Sequence, residues 1–205
     1  EILENVRDKI LKLSNNSLYY PVDPTSRKDA RIGGTISCNA SGFIPGEKGA
    51  TRYWVESIEI VLLNGKKICA KRGQYTSNNN EFIIDDKIIK VPTYIRPKIK
   101  NASGIFSADI NQIDFVDLIV GSEGIFGLIT ACELRLDKSS KNHIDFFIPF
   151  NNESLAIKFY HYISNYISDS DYELKALEYF GYNSQKYMKN SEFLFNSKNE
   201  VGIYM

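Results

Sequence analysis

Two glycine-rich segments carry the clearest chemical signal in this sequence of 205 residues. The segment VGSEGIFGLIT at 120–130 places three glycines in an apolar stretch, and IGGTISCNASG at 32–42 holds three more among small residues. Glycine accepts positive φ and lets a ligand lie against the main chain. Because exposed backbone N–H groups bind phosphate, two such segments separated by strand-like sequence predict a bound nucleotide cofactor.

Several elements must position these segments. Apolar residues at helical spacing predict a helix near residues 2–14, and small residues predict a short helix at 32–40 whose N-terminus faces the glycine pair. A short helix or turn at 115–120 leads into the second glycine segment. Alternation then predicts a strand at 128–136 with one apolar face formed by Leu128, Thr130, Cys132, Leu134 and Leu136.

A β-hairpin is predicted in the middle of the chain. Asn64-Gly65 is a strong hairpin signal between a strand at 54–63 and a returning strand at 68–71. Residues 73–101 are polar and rich in turn formers, which predicts a long surface excursion with some strand at 82–84.

A change of composition after Leu136 predicts a subdomain boundary. Beyond it the sequence predicts a β-α-β-α-β order, typical of half a ferredoxin-like sandwich. The predicted elements are strand 143–150, helix 154–166, strand 173–180, helix 184–189 and a strand that begins at Val201.

Composition excludes several classes of function. Lys+Arg and Asp+Glu both number 25, so no net charge favours nucleic acid or an anionic membrane. The three cysteines lack metal-ligand spacing, so we expect no metal site and a reducing, cytoplasmic location. No apolar run is long enough for a transmembrane segment. Because the sequence starts at Glu1 and stops within strand-like VGIYM, we expect a piece of a longer protein.

Five ordered sequence blocks resemble a known family. They are PVDPTS at 21–26, RIGGTISCNASG at 31–42, GATRYWVESIEIVLLNGK at 49–66, KNASGIF at 100–106 and VGSEGIFGLITACELRL at 120–136. The chain resembles the FAD-linked oxidases of the vanillyl-alcohol oxidase and p-cresol methylhydroxylase (PCMH) superfamily, in particular the glycolate oxidase and D-lactate dehydrogenase branch. ALEYF at 176–180 is similar to a strand of that family's substrate domain.

The resemblance implies an α+β fold with two parts. Residues 1–137 would be the second lobe of a PCMH-type FAD-binding domain, and residues 138–205 the start of a ferredoxin-like substrate or cap domain. It also implies that FAD is held largely by main-chain groups. The implied cofactor-binding residues are Pro24, Thr25, Ser26, Ile32, Gly33, Gly34, Asn39, Ala40, Ser41, Gly42, Gly49, Ala50, Thr51, Glu123, Gly124, Gly127 and Ile129.

Several positions depart from the family pattern. No segment before Pro21 resembles the family's first FAD-binding lobe, and Ile125 and Phe126 replace a usual threonine and leucine. The catalytic residues are unknown, because His143 and His161 lie in no matching motif and His161 is expected to pack among tyrosines. Lys100 and Asn101 match a family pair near the flavin, or form a solvated loop; Arg96 is expected at the surface.

The resemblance implies an FAD-dependent oxidoreductase that oxidises a small 2-hydroxy acid of the lactate, glycolate or 2-hydroxyglutarate type by hydride transfer to flavin. The electron acceptor and the exact substrate stay open, and a homodimer is one option for assembly. The alternative is a non-catalytic fragment or degenerate paralogue that acts as a binding or interaction module.

Overall fold

The computed structural model describes residues 1–84, 86–91, 100, 112–188 and 194–205. The chain divides into two compact units. The first comprises Glu1–Gly42 and Gly46–Ser139, and the second comprises Phe43–Pro45 and Ser140–Met205. The assignment of residues 1–137 to a PCMH-type FAD-binding domain and of residues 138–205 to a substrate or cap domain stays a prediction.

The first unit is built around a three-stranded antiparallel sheet. Its helices in the described ranges are α1 Leu3–Leu13, α2 Ile32–Ser37, α3 Thr51–Trp54 and α4 Phe115–Ile119, with a 3₁₀ turn at Glu47–Gly49. Its strands are β1 Leu18–Tyr19, β2 Val55–Leu62, β3 Lys67–Lys71, β4 Glu81–Ile84, β5 Lys87–Lys90, β6 Gly127–Leu134 and β7 Asp137–Lys138. The sheet has the order β3-β2-β6, while β4 pairs with β5 and β1 with β7.

The predicted hairpin at Asn64-Gly65 is confirmed. Strands β2 and β3 pair in antiparallel register with Ile60 opposite Ile68. Gly65 has φ of 82°, a conformation that glycine adopts without steric cost. The predicted helices near 2–14 and 115–120 are also present, as α1 and α4.

The prediction of a surface excursion at 73–101 is wrong for part of this range. The strand predicted at 82–84 is present, but it pairs with β5, and both Phe82 and Ile84 are buried in the main core cluster. Phe82 packs edge-to-face on Phe115 at a centroid distance of 5.9 Å. Burial of Phe82 and Ile84, with Ile89 and Tyr75 packed against the same cluster, holds this hairpin on the core.

The predicted apolar face of β6 is confirmed at Cys132, Leu134 and Leu136 but wrong at Leu128 and Thr130. Glu59 of β2 pairs with Ala131 of β6, and the next residue, Ile60, pairs with Ile129. Thr130 is therefore an extra residue in β6. The extra residue is a β-bulge, which reverses the alternation of faces along the strand. Ile129, Cys132 and Leu134 therefore pack against the core cluster, whereas Leu128 and Thr130 are exposed.

The second unit is a small sheet with one long helix. It contains β8 Phe147–Phe150, α5 Glu153–Ser168, β9 Glu178–Gly181, a 3₁₀ helix Tyr182–Tyr187 and β10 Val201–Tyr204. The order is β8-β10-β9, and both outer strands are antiparallel to β10. Ala156 of α5 packs with Val201 and Ile203 of β10 to form its core.

The element order predicted for the second unit is present with different boundaries. The outer strands begin later than predicted, at Phe147 and Glu178, where their pairing with Tyr204 of β10 starts. The helix predicted at 184–189 is the 3₁₀ helix instead. Ser184 donates its hydroxyl to the carbonyl of Gly181 at 2.6 Å, a side-chain bond that competes with regular helix formation.

The placement of the three cysteines predicts a difference in reactivity. Cys132 is half-buried on the inner face of β6, where burial raises the pKa of its thiol, while Cys38 and Cys69 are exposed. Because the thiolate is the reactive form, we expect alkylating reagents to modify Cys38 and Cys69 well before Cys132. Timed alkylation with peptide mass spectrometry measures this, with urea-unfolded protein as the control. Equal rates for Cys132 and Cys69 in the folded protein would contradict the placement of Cys132 on the inner face of β6.

Candidate functional site

The segments predicted to bind a cofactor meet around helix α2 in the first unit. A Cβ built on Gly33 of α2 would lie 3.4 Å from the carbonyl oxygen of Ile129 in β6. The C-terminal end of α2 receives hydrogen bonds from the second glycine segment, since Gly121 N donates to Ile36 O at 3.0 Å and Glu123 N donates to Ser37 O at 2.8 Å. The two glycine segments are therefore neighbours in space.

Helix α2 contains its glycine pair rather than facing it, which corrects the sequence-based placement. Gly33 and Gly34 lie in the first turn, where helical amides have no partner within the helix. Among the described residues, the amides of Gly33 and Gly34 have no recorded acceptor, and a Cβ on Gly34 would meet no atom within 4 Å. The amide of Ile32 donates to Glu1 O at 3.0 Å and is therefore already used.

The second glycine segment forms a tight turn before β6. Gly121, Glu123 and Gly124 have φ of 82°, 53° and 81°, all in the left-handed region. Gly127 has φ of 151°, and a Cβ at this position would lie 2.2 Å from the carbonyl oxygen of Val61. Gly127 is thus required by the contact of β6 with β2, independently of any ligand.

Residues 39–42 pair with residues 49–52 through the main chain. Gly42 N donates to Gly49 O at 2.9 Å, and Ser41 forms a β-bridge with Ala50. The amide and the hydroxyl of Thr51 both donate to Ala40 O, at 2.9 and 2.7 Å. This pairing fixes the path of the first glycine segment after α2.

The PVDPTS segment is held by charged side chains that the sequence analysis did not identify. Arg7 of α1 donates to Val22 O at 2.8 Å, and Arg27 binds both Asp23, at 2.6 Å, and Glu4, at 2.9 Å. Hydrogen bonding to Asp23 raises the pKa of the Arg27 guanidinium group above its usual value. These bonds leave Thr25 and Ser26 exposed, and within the described ranges no acceptor is recorded for their amides.

Gly42 links the PVDPTS segment to the first glycine segment. A Cβ on Gly42 would lie 2.5 Å from the amide nitrogen of Asp23, so the two backbones are in direct contact there. Lys100 adds a hydrogen bond from Nζ to Gly42 O at 2.8 Å, which favours a role at this site over a solvated loop. Asn101 and Arg96, considered with Lys100 in the sequence, lie outside the described residues.

All predicted cofactor-binding residues therefore lie in neighbouring segments of one unit. Their proposed contacts with a cofactor stay predictions. They are Pro24, Thr25 and Ser26 before α2; Ile32, Gly33 and Gly34 in α2; Asn39, Ala40, Ser41 and Gly42 after it; Gly49, Ala50 and Thr51 opposite; and Glu123, Gly124, Gly127 and Ile129 around the turn into β6.

A buried charged network underlies the site. Asp117 of α4 binds Arg52 of α3 at 3.2 Å and Arg72, which follows β3, at 2.9 Å. Arg52 and Asp117 are only 6% and 8% exposed. The sequence held one signal for this network, a single carboxylate inside the apolar run FVDLIV at 115–120.

The site offers main-chain donors rather than a catalytic acid or base. Thr130 and Lys67 donate hydrogen bonds to Glu59 and lower the pKa of its carboxyl, but this carboxylate lies on the exposed face of the sheet. His143 and His161 are both exposed in the second unit. The ring of His161 contacts that of Tyr160 at a centroid distance of 5.4 Å, which agrees with its expected packing beside tyrosines. No cluster of three or more potential metal ligands occurs within the part of the chain that the structure describes. The arrangement suits binding of phosphate and sugar groups.

Sequence comparisons place the chain near a set of 2-hydroxy acid enzymes. No protein-family model matches the chain. It is 29% identical over 129 residues to glycolate oxidase subunit GlcD of Bacillus subtilis, a match that covers 63% of this chain and 21% of that protein. It is 30% identical to D-2-hydroxyglutarate dehydrogenase of Stutzerimonas stutzeri, covering 62% and 21%, and 28% identical to D-lactate dehydrogenase of Anaerostipes hadrus, covering 66% and 22%.

Structural comparison gives a consistent fold. Two crystal forms of alkyldihydroxyacetonephosphate synthase superpose with TM-scores of 0.62 and 0.59 at 15% and 14% identity, and each match covers 99% of this chain and 32% of that protein. At this identity the likeness concerns the fold alone, which is a mixed α/β fold of the type seen in that enzyme.

These comparisons confirm the resemblance drawn from the five sequence blocks. The relatives' names, glycolate oxidase subunit, D-2-hydroxyglutarate dehydrogenase and D-lactate dehydrogenase, are those of the branch to which the blocks are similar. The matched region spans about a fifth, 21%, of the length of the first curated relatives. Among the described helices, none has the length and apolar character needed to cross a bilayer.

Two glycines of the site should respond oppositely to alanine. In Gly42→Ala the new Cβ would meet the Asp23 backbone at 2.5 Å, so we expect a loss of about 1–3 kcal/mol in the free energy of unfolding. In Gly34→Ala no neighbour is met and helix propensity improves, so we expect no loss or a gain of about 0.5 kcal/mol. Urea unfolding of cofactor-free protein measures both. A large loss in Gly34→Ala would show that the fold itself requires this glycine.

Proposed function

We propose that this chain forms part of an FAD-dependent oxidoreductase that acts on a small 2-hydroxy acid, and that its first unit holds the FAD. The observation that carries the proposal is the meeting of four separated segments, at 21–26, 32–42, 49–52 and 120–129. Among the described residues the amides of Gly33 and Gly34 have no acceptor, and the space above Gly34 is open. The activity is proposed for the whole protein, and the match covers 21% of the length of the glycolate oxidase subunit.

The residues present fit the phosphate-bearing part of FAD. The amides of Thr25, Ser26, Gly33 and Gly34 have no recorded acceptor among the described residues, and a cofactor phosphate would supply one. Since Gly34 has neither positive φ nor a close neighbour, the fold gives no other reason for glycine there. This combination favours a ligand cradle over ordinary packing.

The cofactor would supply the hydride acceptor, and this chain would supply its position. Thr25, Ser26, Gly33 and Gly34 would hold the pyrophosphate and ribityl chain by main-chain hydrogen bonds. Residues 39–42 would continue along the flavin ring, and Ile129 of the edge strand β6 would offer main-chain groups to the adenine end. Lys100, fixed on Gly42 O, would lie on the flavin side of these segments.

The substrate class follows from the relatives. Glycolate, D-lactate and D-2-hydroxyglutarate, from which three of them take their names, are all 2-hydroxy acids. A substrate of this class would be oxidised at the carbon that bears the hydroxyl group. Its carboxylate would need a cationic partner, and the base that removes the hydroxyl proton would come from parts of the protein other than the site residues described above. Cytoplasmic location and homodimer formation are further predictions.

The proposal is tested by the colour of the full-length protein. Purified protein should show the visible absorption bands of oxidised flavin, and acid extraction with chromatography should identify FAD rather than FMN. Addition of D-lactate, glycolate or D-2-hydroxyglutarate without oxygen should bleach these bands. A folded, colourless protein that does not take up added FAD would contradict the proposal and would support the alternative of a non-catalytic binding module.

The site is tested by filling the space above Gly34. In Gly34→Val the branched side chain would occupy cofactor volume, so we expect flavin content to fall by about tenfold or more while the protein stays folded. Ala131→Val is the matched control, because Ala131 is exposed on β6 and its bulge-shifted register directs it away from the core cluster to which α2 contributes. Unchanged flavin content in Gly34→Val would remove Gly34 from the site.

A further inference from the structure

We propose that Arg52 is a positioning residue that clamps the two glycine segments in one fixed relation, so that the amides of Gly33 and Gly34 in α2 are arranged for FAD before it binds. The inference rests on the proposed function for its ligand, but its geometry is independent of it. Arg52 acts through the two segments and does not itself touch the cofactor.

The side chain of Arg52 holds the start of the second glycine segment. Its Nη2 donates to Val120 O at 2.5 Å, and its Nη1 donates to Asp117 O at 2.6 Å. Val120 immediately precedes Gly121, the first of the left-handed residues of the turn. Because Gly121 takes a left-handed φ of 82°, the position of the Val120 carbonyl sets the path of the turn that follows and of its hydrogen bonds to α2.

The main chain of Arg52 holds the first glycine segment. Its amide donates to Asn39 Oδ1 at 2.9 Å. Asn39 is 1% exposed and has φ of 47°, at the point where the chain leaves α2 and turns into the 39–42 segment. One residue thus binds both glycine segments, the first through its amide and the second through its guanidinium group.

Arginine is suited to this clamp by its geometry. The planar guanidinium group presents five N–H donors in a fixed arrangement, and Arg52 directs them to two carbonyl oxygens and to Asp117 Oδ1. A lysine would keep the charge opposite Asp117, but one ammonium group on a flexible stem cannot reproduce this fork. The substitution Arg52→Lys therefore separates charge from geometry.

Arg72 provides a matched control. It binds the same carboxylate, with Nη1 at 2.9 Å from Asp117 Oδ2 and Nη2 at 3.0 Å from Asp117 Oδ1. Its main-chain acceptors are Val55 O and Arg52 O, at 2.6 and 2.7 Å, and neither lies in a glycine segment. If the network served stability alone, Arg52→Lys and Arg72→Lys would affect FAD binding alike.

The first experiment measures FAD affinity together with thermal stability in the full-length protein. We expect Arg52→Lys to weaken FAD binding by about tenfold or more, measured by flavin fluorescence well below the melting temperature, and Arg72→Lys to stay within about threefold of wild type. Visible circular dichroism of the bound flavin should change in Arg52→Lys alone. Equal weakening by the two variants, or none by Arg52→Lys, would overturn the inference.

A second variant covers the case in which Arg52→Lys does not fold. In Asn39→Gly the left-handed backbone is kept without strain, while the acceptor for the Arg52 amide is lost. We expect weakened FAD binding here as well, and a less-than-additive effect in the double variant with Arg52→Lys where that variant folds. Wild-type affinity in Asn39→Gly would contradict the clamp.

Hydrogen exchange distinguishes failure of the clamp from failure of the proposed function. In cofactor-free protein the amides of Gly121 and Glu123, which donate to α2, should exchange faster in Arg52→Lys than in Arg72→Lys at equal thermal stability. If wild-type protein binds no FAD, the proposed function fails, and this measurement still decides the clamp. Equal exchange in the two variants would overturn it.

Discussion

Direct contact between backbones around α2 is the constraint on which the first unit depends. Gly127 lies so close to Val61, and Gly42 so close to Asp23, that a Cβ would come within 2.2 and 2.5 Å of main-chain atoms. Such contacts bring separated segments close enough to share hydrogen bonds, but they admit no side chain. Two of the glycines that suggested a cofactor are therefore required by packing. The case for a ligand rests on Gly34, where packing requires nothing.

The buried charges at Asp117 complete this arrangement. Asp117 lies in a helix that is otherwise apolar and buried, so its carboxylate needs partners to offset the loss of water. Arg52 and Arg72 supply them, and their remaining N–H groups bind carbonyl oxygens of Val120 and Val55. The network thus ties α4 to α3 and to β2, and through Val120 it reaches the second glycine segment. Stability and site geometry share the same hydrogen bonds.

Local signals predicted much of this fold because they depend on few neighbouring residues. Asn64-Gly65 favours its hairpin through the positive φ of Gly65 and the hydrogen bond from Lys66 N to Asn64 Oδ1, and the apolar spacing of residues 2–14 specifies α1. The bulge at Thr130 could not be predicted, since it arises from pairing with Glu59 and Ile60, distant in sequence. The burial of Phe82 was missed for a similar reason, because its aromatic partners are Tyr75 and Phe115.

The candidate site was predictable to the extent that it consists of main chain. Glycine and small residues signal backbone exposure in the sequence itself, so the segments at 32–42 and 120–130 could be paired before their contact was known. Arg52 gave no such signal, because its partners Asn39, Asp117 and Val120 come together only in the folded unit. A site built from amides also depends on the backbone path more than on side-chain identity. A backbone path can be retained when most side chains differ. The likeness to alkyldihydroxyacetonephosphate synthase illustrates this for the fold, at 15% identity. Under the proposed function, substrate choice would be set by side chains elsewhere, since main-chain donors bind the phosphates of FAD alike whatever acid is oxidised.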